Sequence, residues 1–286
     1  MSTSGRTHIG AYRLVRQIRS GQSCHVWLAI NSANDRVALK ILKDEYRKNR
    51  DKINQLRHEY NVGRDLDHPN VIRVIEFSVV EKIPFLATEY CGLQNVKQVI
   101  QERFERFIPR IPDAVGQSAR GLIHLHSQGW LHRDVKPDNF MLDDGNLKLL
   151  DFSLAIKAKR GLSRLLGGRS KVQGTRSYMS PEQIRGGPLD VRSDVYSFGC
   201  TVFEMLTGRP PFTAESADEL LTKHLRASVP SLLVTAKNVT EEFADLVARM
   251  MTKDVQARPQ SMEDFLVEFD HLQVFLKPPG PVGNDG

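Results

Sequence analysis

The 286-residue sequence predicts an α+β fold in two lobes: a small β-rich lobe over residues 9–91 and a larger, mainly helical lobe over residues 92–276. Three observations predict it. Short β-like runs crowd the first ninety residues, apolar residues recur at helical spacing in the later part, and the character of the chain changes after Cys91-Gly92. A composition that is 40% hydrophobic supplies ample apolar surface for such a core.

In chain order, residues 1–8 open small and polar, without the apolar core of a signal peptide, and are expected to be a flexible lead-in. Residues 12–18 alternate in part, and residues 26–30 and 36–42 are short β-like runs. Turn formers at 31–35 join the last two as a hairpin. Residues 44–66 are charged and helical in pattern, and His68-Pro69-Asn70 breaks them. Residues 71–80 and 84–90 are two more strand candidates. Residues 113–127 carry Ala114, Val115, Ala119, Leu122, Ile123 and Leu125 at helical spacing, with Pro112 ahead and Gly129 beyond. Residues 131–151 return to short strands around a turn at 144–146, and from Ser193 to about Leu276 the pattern is helical. Residues 277–286 are Pro/Gly-rich and are expected to be a flexible tail or the stub of a linker.

The net charge is +6, and the densest basic stretch holds Lys157, Lys159, Arg160, Arg164, Arg169 and Lys171 with almost no aromatic residue. A nucleic-acid surface would interleave aromatics with that charge, so no nucleic-acid partner is expected. Cys24, Cys91 and Cys200 show no paired spacing, which points to a reducing compartment, and a cytoplasmic location is expected. No run approaches the roughly 18 apolar residues that span a bilayer.

The chemistry concentrates in H-R-D-V-K-P-D-N, His132 to Asn139. Eight residues hold a carboxylate to orient a hydroxyl, a cation to neutralise moving negative charge and an amide oxygen for a metal ion. Lys40 sits in a strand-like Val37-Ala38-Leu39-Lys40, and Glu59 follows nineteen positions on, inside the helical segment. Asp151 follows the hydrophobic run 147–150, twelve positions after Asn139. Taken singly, each has an ordinary alternative: a strand-end lysine, a helical surface glutamate, a hairpin-end aspartate.

In their order and spacing these motifs resemble the eukaryotic-type serine/threonine protein kinase family, over roughly residues 12–271. The resemblance implies a two-lobed protein-kinase-like fold with ATP between the lobes. It implies that Asp134 orients the substrate hydroxyl, Lys136 neutralises the γ-phosphoryl group, and Lys40, aligned by Glu59, holds the α- and β-phosphates. Asn139 and Asp151 would be the Mg²⁺ ligands, with Mn²⁺ as a substitute. Around the nucleotide it implies Ile18, Gly21, Val26, Ala38, Lys40, Thr88, Glu89, Cys91 and Met141, the last with Ala38 sandwiching the purine. Gly174-Thr175 and Ser180-Pro181-Glu182 resemble the end of the activation segment, with Thr175 touching Asp134 and Lys136. Asp194 would prop the catalytic loop, and Arg258 would pair with Glu182.

The sequence departs from the family in three places. The phosphate loop aligns as Arg19, Gly21, Cys24 and Val26, so only one glycine survives and weaker nucleotide handling is expected. Cys24 is either a reactive thiol beside the phosphates or an ordinary loop cysteine. Asp151-Phe152 is followed by Ser153 where the family has glycine. Gly63, one turn after Glu59, stands where the family has a bulky apolar residue, so a gap and a loosely held helix are expected there.

Arg133 is expected to bind a phosphate on the activation segment, added at Ser163 or Ser170 through self-association. Protein substrates, including the chain itself, are the expected acceptors. Two competing readings remain. A pseudokinase scaffold is favoured by the altered loop, Ser153 and Gly63, and opposed by the retained Lys40, Glu59, Asp134, Asn139 and Asp151. A small-molecule kinase shares part of the catalytic run but lacks the 174–182 docking segment.

Overall fold

The computed structural model describes residues 6–92, 94–143, 145–158 and 173–280. The expected serines, Ser163 and Ser170, lie outside them. A six-stranded antiparallel sheet forms the first lobe from β1 (His8–Ile9), β2 (Tyr12–Ser20), β3 (Cys24–Ile30), β4 (Arg36–Leu42), β5 (Val74–Val80) and β6 (Ile83–Glu89), in the order β1-β2-β3-β4-β6-β5. Side chains alternate across a strand. On β4 that period buries Val37, Leu39 and Ile41 with Ile9, Tyr12, Ala29 and Phe85, and it turns Ala38 and Lys40 to the opposite face.

Helix α1 (Arg50–Gly63) crosses that second face. Asn49 caps it by accepting from the Lys52 amide at 3.2 Å. Leu56, Glu59, Val62 and Gly63 are its buried residues and share one side at helical spacing. The expected helix over 44–66 is thus shorter: Asp44–Tyr46 forms a separate 3₁₀ turn.

Gly63 leaves no gap. A Cβ built there would stand 2.4 Å from Val74 Cγ2 and 3.1 Å from Phe152 Cδ2, so two larger side chains have closed over the glycine. The expectation of a loosely held helix is corrected on this point. The helix is seated against β5 and Phe152, and glycine is what lets it approach.

The second lobe begins with β7 (Gln94–Asn95) and α2 (Val96–Phe107), which the sequence did not announce. Asn95 and Gln98 close a capping box at the start of α2, and the helix kinks at Arg103. Helix α3 (Ile111–Ser127) follows, then β8 (Trp130–Leu131), β9 (Phe140–Asp143), β10 (Asn146–Leu149) and β11 (Ile156–Lys157). β10-β9-β7 form one small sheet and β11-β8 another. Beyond them lie α4 (Pro181–Ile184), α5 (Val191–Thr207), α6 (Ala217–Arg226), α7 (Leu232–Thr235), α8 (Glu241–Met250) and α9 (Met262–Phe269).

Nearly every residue of α5 is buried, so it is the central post of this lobe. A single apolar cluster runs from Leu56 and Val62 of α1 through Leu86 and Phe152 to α3, α5 and α8. It ties the lobes together. No described helix is long and apolar enough to cross a membrane.

Candidate active site

Four strands of the first lobe, helix α1 and segments of the second lobe meet at a cavity of about 410 Å³ between the lobes. β2 and β3 roof it with Ile18, Gly21, Cys24 and Val26; β4 and β6 give Ala38, Lys40, Thr88 and Glu89; the second lobe gives Cys91, Met141, Asn139, Lys136 and Asp151. Every residue expected around a nucleotide lines this one cavity. Asp134 does not line it directly, but lies at its edge, held by Lys136 and Asn139, which do.

Lys40 Nζ is 2.7 Å from Glu59 Oε2 and 3.6 Å from Asp151 Oδ2. Residues 40, 59 and 151 come from a strand, a helix and a loop, so only the fold joins them. Burial opposes the Lys40 ammonium, but the two carboxylates outweigh it and raise its pKa. Burial would likewise raise Asp151, but Lys40 and bonds from Ser153 hold it well below the usual carboxylate range. Glu59 is deeper, and its burial prevails over Lys40, pushing it up to about 7. Asp151 has φ 62°, a left-handed conformation that an aspartate adopts more readily than most residues, and its Oδ1 accepts from the Ser153 amide at 3.2 Å.

Asp134 is fixed on all sides. Lys136 Nζ lies 2.6 Å from its Oδ2, and Asn139 Nδ2 donates to its carbonyl at 2.8 Å and its Oδ2 at 3.2 Å. Thr175 donates its amide and its hydroxyl to Asp134 Oδ1, at 2.8 and 2.9 Å, and its Oγ1 accepts from Lys136 at 2.5 Å. Because the Asn139 nitrogen is engaged, its oxygen is the end left for a cation. Asn139 and Asp151 then offer hard oxygen donors, which fits a magnesium ion that takes one or two protein ligands and fills the rest with phosphate and water.

The loop carrying Asp134 stands on α5. Asp194 accepts from the His132 amide at 2.8 Å, the Arg133 amide at 2.9 Å and His126 Nε2 at 2.8 Å. Burial would raise this carboxyl, but the His126 bond and neighbouring charge hold it low. His132 Nε2 reaches the Leu150 carbonyl at 3.0 Å, which binds the loop to the strand leading into Asp151. Arg258 pairs in a two-pronged contact with Glu182, Nη1 to Oε1 at 2.8 Å and Nη2 to Oε2 at 3.1 Å.

Other sequence expectations are refined. Cys24 is buried, and burial raises its thiol pKa, so the reactive-thiol alternative is set aside for the ordinary one. Cys91 is likewise pushed up to about 12 by burial. Arg19 lines the cavity and turns its guanidinium toward the second lobe. It lies at the mouth, 3.9 Å from Asp138 Oδ1. The Glu89 carboxylate is spent on the Arg73 amide at 2.8 Å and Lys148 at 2.7 Å, so this residue offers the cavity its backbone. Reading the sequence missed Ile72, Leu86 and Leu150, the apolar back of the cavity, and Asp138 at its mouth. Leu150 had a signal, being the last residue of the apolar run before Asp151; Ile72 had none.

This arrangement of strands, helix and catalytic loop defines a protein kinase domain. The protein kinase domain family matches residues 12–268, and the chain belongs to it, in its eukaryotic-type serine/threonine branch. Over 91% of its length it is 32% identical to the serine/threonine-protein kinase PrkC of Bacillus subtilis, covering 40% of that protein. It is 35% identical over 83% of its length to PknL of Mycobacterium tuberculosis, covering 59% of it, and 31% identical over 93% to a probable PknB of Bifidobacterium longum, covering 40%.

Proposed function

We propose that this chain is the catalytic domain of an ATP- and Mg²⁺-dependent serine/threonine protein kinase, passing the γ-phosphoryl group of ATP to Ser and Thr hydroxyls of proteins, itself included. The observation that carries the reading is the joined arrangement of Lys40, Glu59 and Asp151 beside the Asp134–Thr175–Lys136 cluster. Mn²⁺ would substitute for Mg²⁺, residues 9–91 and 92–276 would be the two working lobes, and the location would be cytoplasmic.

Each residue has one task. Lys40, aligned by Glu59, places a point charge where the α- and β-phosphates lie. Ala38 and Met141 close on the two faces of the purine, with Ile18 and Val26 above it. Thr88 bounds the inner end, the backbones of Glu89 and Cys91 offer hydrogen bonds to the adenine edge, and Gly21 lets the loop backbone come near the phosphates. Asp134 accepts a hydrogen bond from the acceptor hydroxyl, aims it and takes its proton late. Lys136 steadies the transferring group. Asn139 and Asp151 would hold the metal ion, which supplies charge neutralisation between the phosphates. Catalysis is then mainly positioning and charge stabilisation. Autophosphorylation at Ser163 or Ser170 in a self-associated pair would supply a phosphate for Arg133 to bind.

The test is incubation with labelled ATP and Mg²⁺, with and without a generic protein acceptor, beside Asp134→Asn. Label entering Ser and Thr in the parent, and about 10²–10⁴-fold less in the variant, is expected. Label entering only a sugar or amino alcohol would overturn the proposal.

A further inference from the structure

We infer that His58 is a positioning residue for the phosphotransfer reaction: a tether that holds the Glu59 helix to the segment following Asp151. The inference rests on the proposed kinase activity and adds a part to its machinery.

His58 directly precedes Glu59 on α1, and its Nε2 lies 2.7 Å from the carbonyl oxygen of Ala155, 97 positions away. A carbonyl only accepts, so Nε2 carries the hydrogen. Ala155 is 1% exposed, and its own amide donates to the Phe152 carbonyl at 3.1 Å. The oxygen that His58 grips is therefore set by the Phe152–Ala155 turn, which directly follows Asp151.

The same imidazole meets the Trp130 ring edge-on, with centroids 6.0 Å apart. Trp130 is itself held. Lys157 Nζ stands 4.1 Å over its ring and donates to the Gln128 carbonyl at 3.1 Å, and β11 pairs with β8 at Lys157 and Trp130. Trp130 lies two residues before His132, the start of the loop that carries Asp134. One half-buried side chain thus touches the helix of the Lys40 partner, the turn after Asp151 and the strand that feeds the catalytic loop.

The geometry has a mechanical consequence. An outward movement of α1 that separates Glu59 from Lys40 must also break the His58–Ala155 bond or drag the turn with it. The tether makes the two carboxylates that flank Lys40 move as a unit. An ornamental surface contact would not lie between them.

Three variants separate the hydrogen bond from the ring packing. His58→Gln keeps a donor near Nε2, His58→Phe keeps a ring against Trp130 without the donor, and His58→Leu has neither. The expected result is a kcat for His58→Gln within about twofold of the parent, and one about 3- to 10-fold lower for both His58→Phe and His58→Leu, as the loss of one such bond implies. KM for the protein acceptor should not move. A His58→Gln enzyme as slow as His58→Leu, or three variants as fast as the parent, overturns the inference.

A second readout is independent of turnover. In a Trp27→Phe background Trp130 is the single tryptophan. Titration with Mg²⁺–ADP should shift its emission more in His58→Leu and His58→Phe than in the parent and His58→Gln. An equal shift in all four also sinks the tether. A parent that transfers no phosphate to any protein fails the kinase reading instead, and the emission series still decides the tether.

Discussion

Thr175 gives both its backbone amide and its hydroxyl to a single oxygen of Asp134, while the same hydroxyl accepts from Lys136. The carboxylate proposed to aim the acceptor hydroxyl is thereby oriented by a residue 41 positions away. Thr175→Val removes the hydroxyl and keeps the shape. Bonds to a charged group are worth about 1.5–3 kcal/mol, so kcat should fall about 10- to 100-fold, with KM for ATP nearly unchanged. Thr175→Ser should recover most of the rate in steady-state kinetics.

Glu59 supplies a pH signature. Its burial in the native state pushes its pKa from 4.5 to about 7. Between those values the folded protein binds a proton that the unfolded chain does not. The group's favourable contribution is present below about pH 4.5 and is lost as pH rises through about 7. Glu59→Gln should therefore gain thermal stability relative to the parent as pH climbs from 5 to 8. Activity should behave oppositely: the parent should lose kcat as pH falls below about 7, where protonated Glu59 holds Lys40 less firmly. Melting scans and rate profiles across that window check both signs.

Gly63 predicts a reversal of ordinary helix preference. Elsewhere in a helix Gly→Ala stabilises by about 1 kcal/mol. Here the new Cβ meets Val74 at 2.4 Å. Gly63→Ala should give no gain or a loss, and Gly63→Leu should destabilise by about 1–3 kcal/mol through overpacking. Denaturant titration measures it. A Gly63→Leu protein more stable than the parent would refute the close packing of Val74 and Phe152 over this position.

Arg258 and Glu182 test a structural pair. Arg258 is 3% exposed, and its guanidinium also donates to the carbonyls of Thr252 and Arg192. Arg258→Met leaves the half-buried Glu182 with Ser193 but without its charged partner, which should cost about 1–3 kcal/mol. Denaturant unfolding reads the loss, and the effect on KM for ATP should be small because neither residue lines the cavity.

What the sequence revealed follows from how local each signal is. The run from His132 to Asn139 is contiguous, so its chemistry can be read directly. Lys40 and Glu59 were paired through the resemblance, because their nineteen-residue spacing matches the family's lysine–glutamate pair. Gly63 was misread, since what fills its side of the helix is Val74 and Phe152, and no pattern around residue 63 announces them. Helix α2 was hidden by its charged run from Gln101 to Arg106, and two-residue strands such as β1 and β11 are too short for any period. His58 was illegible because its partner is a backbone oxygen 97 positions away.

Thr88 is a small side chain in the cavity wall, and Leu56, Ile72 and Leu86 line the same cavity. Leu56 belongs to α1, so an apolar group resting on this part of the wall would press on the helix that carries Glu59. A chemist seeking a selective inhibitor has an entry here that does not depend on the phosphate end.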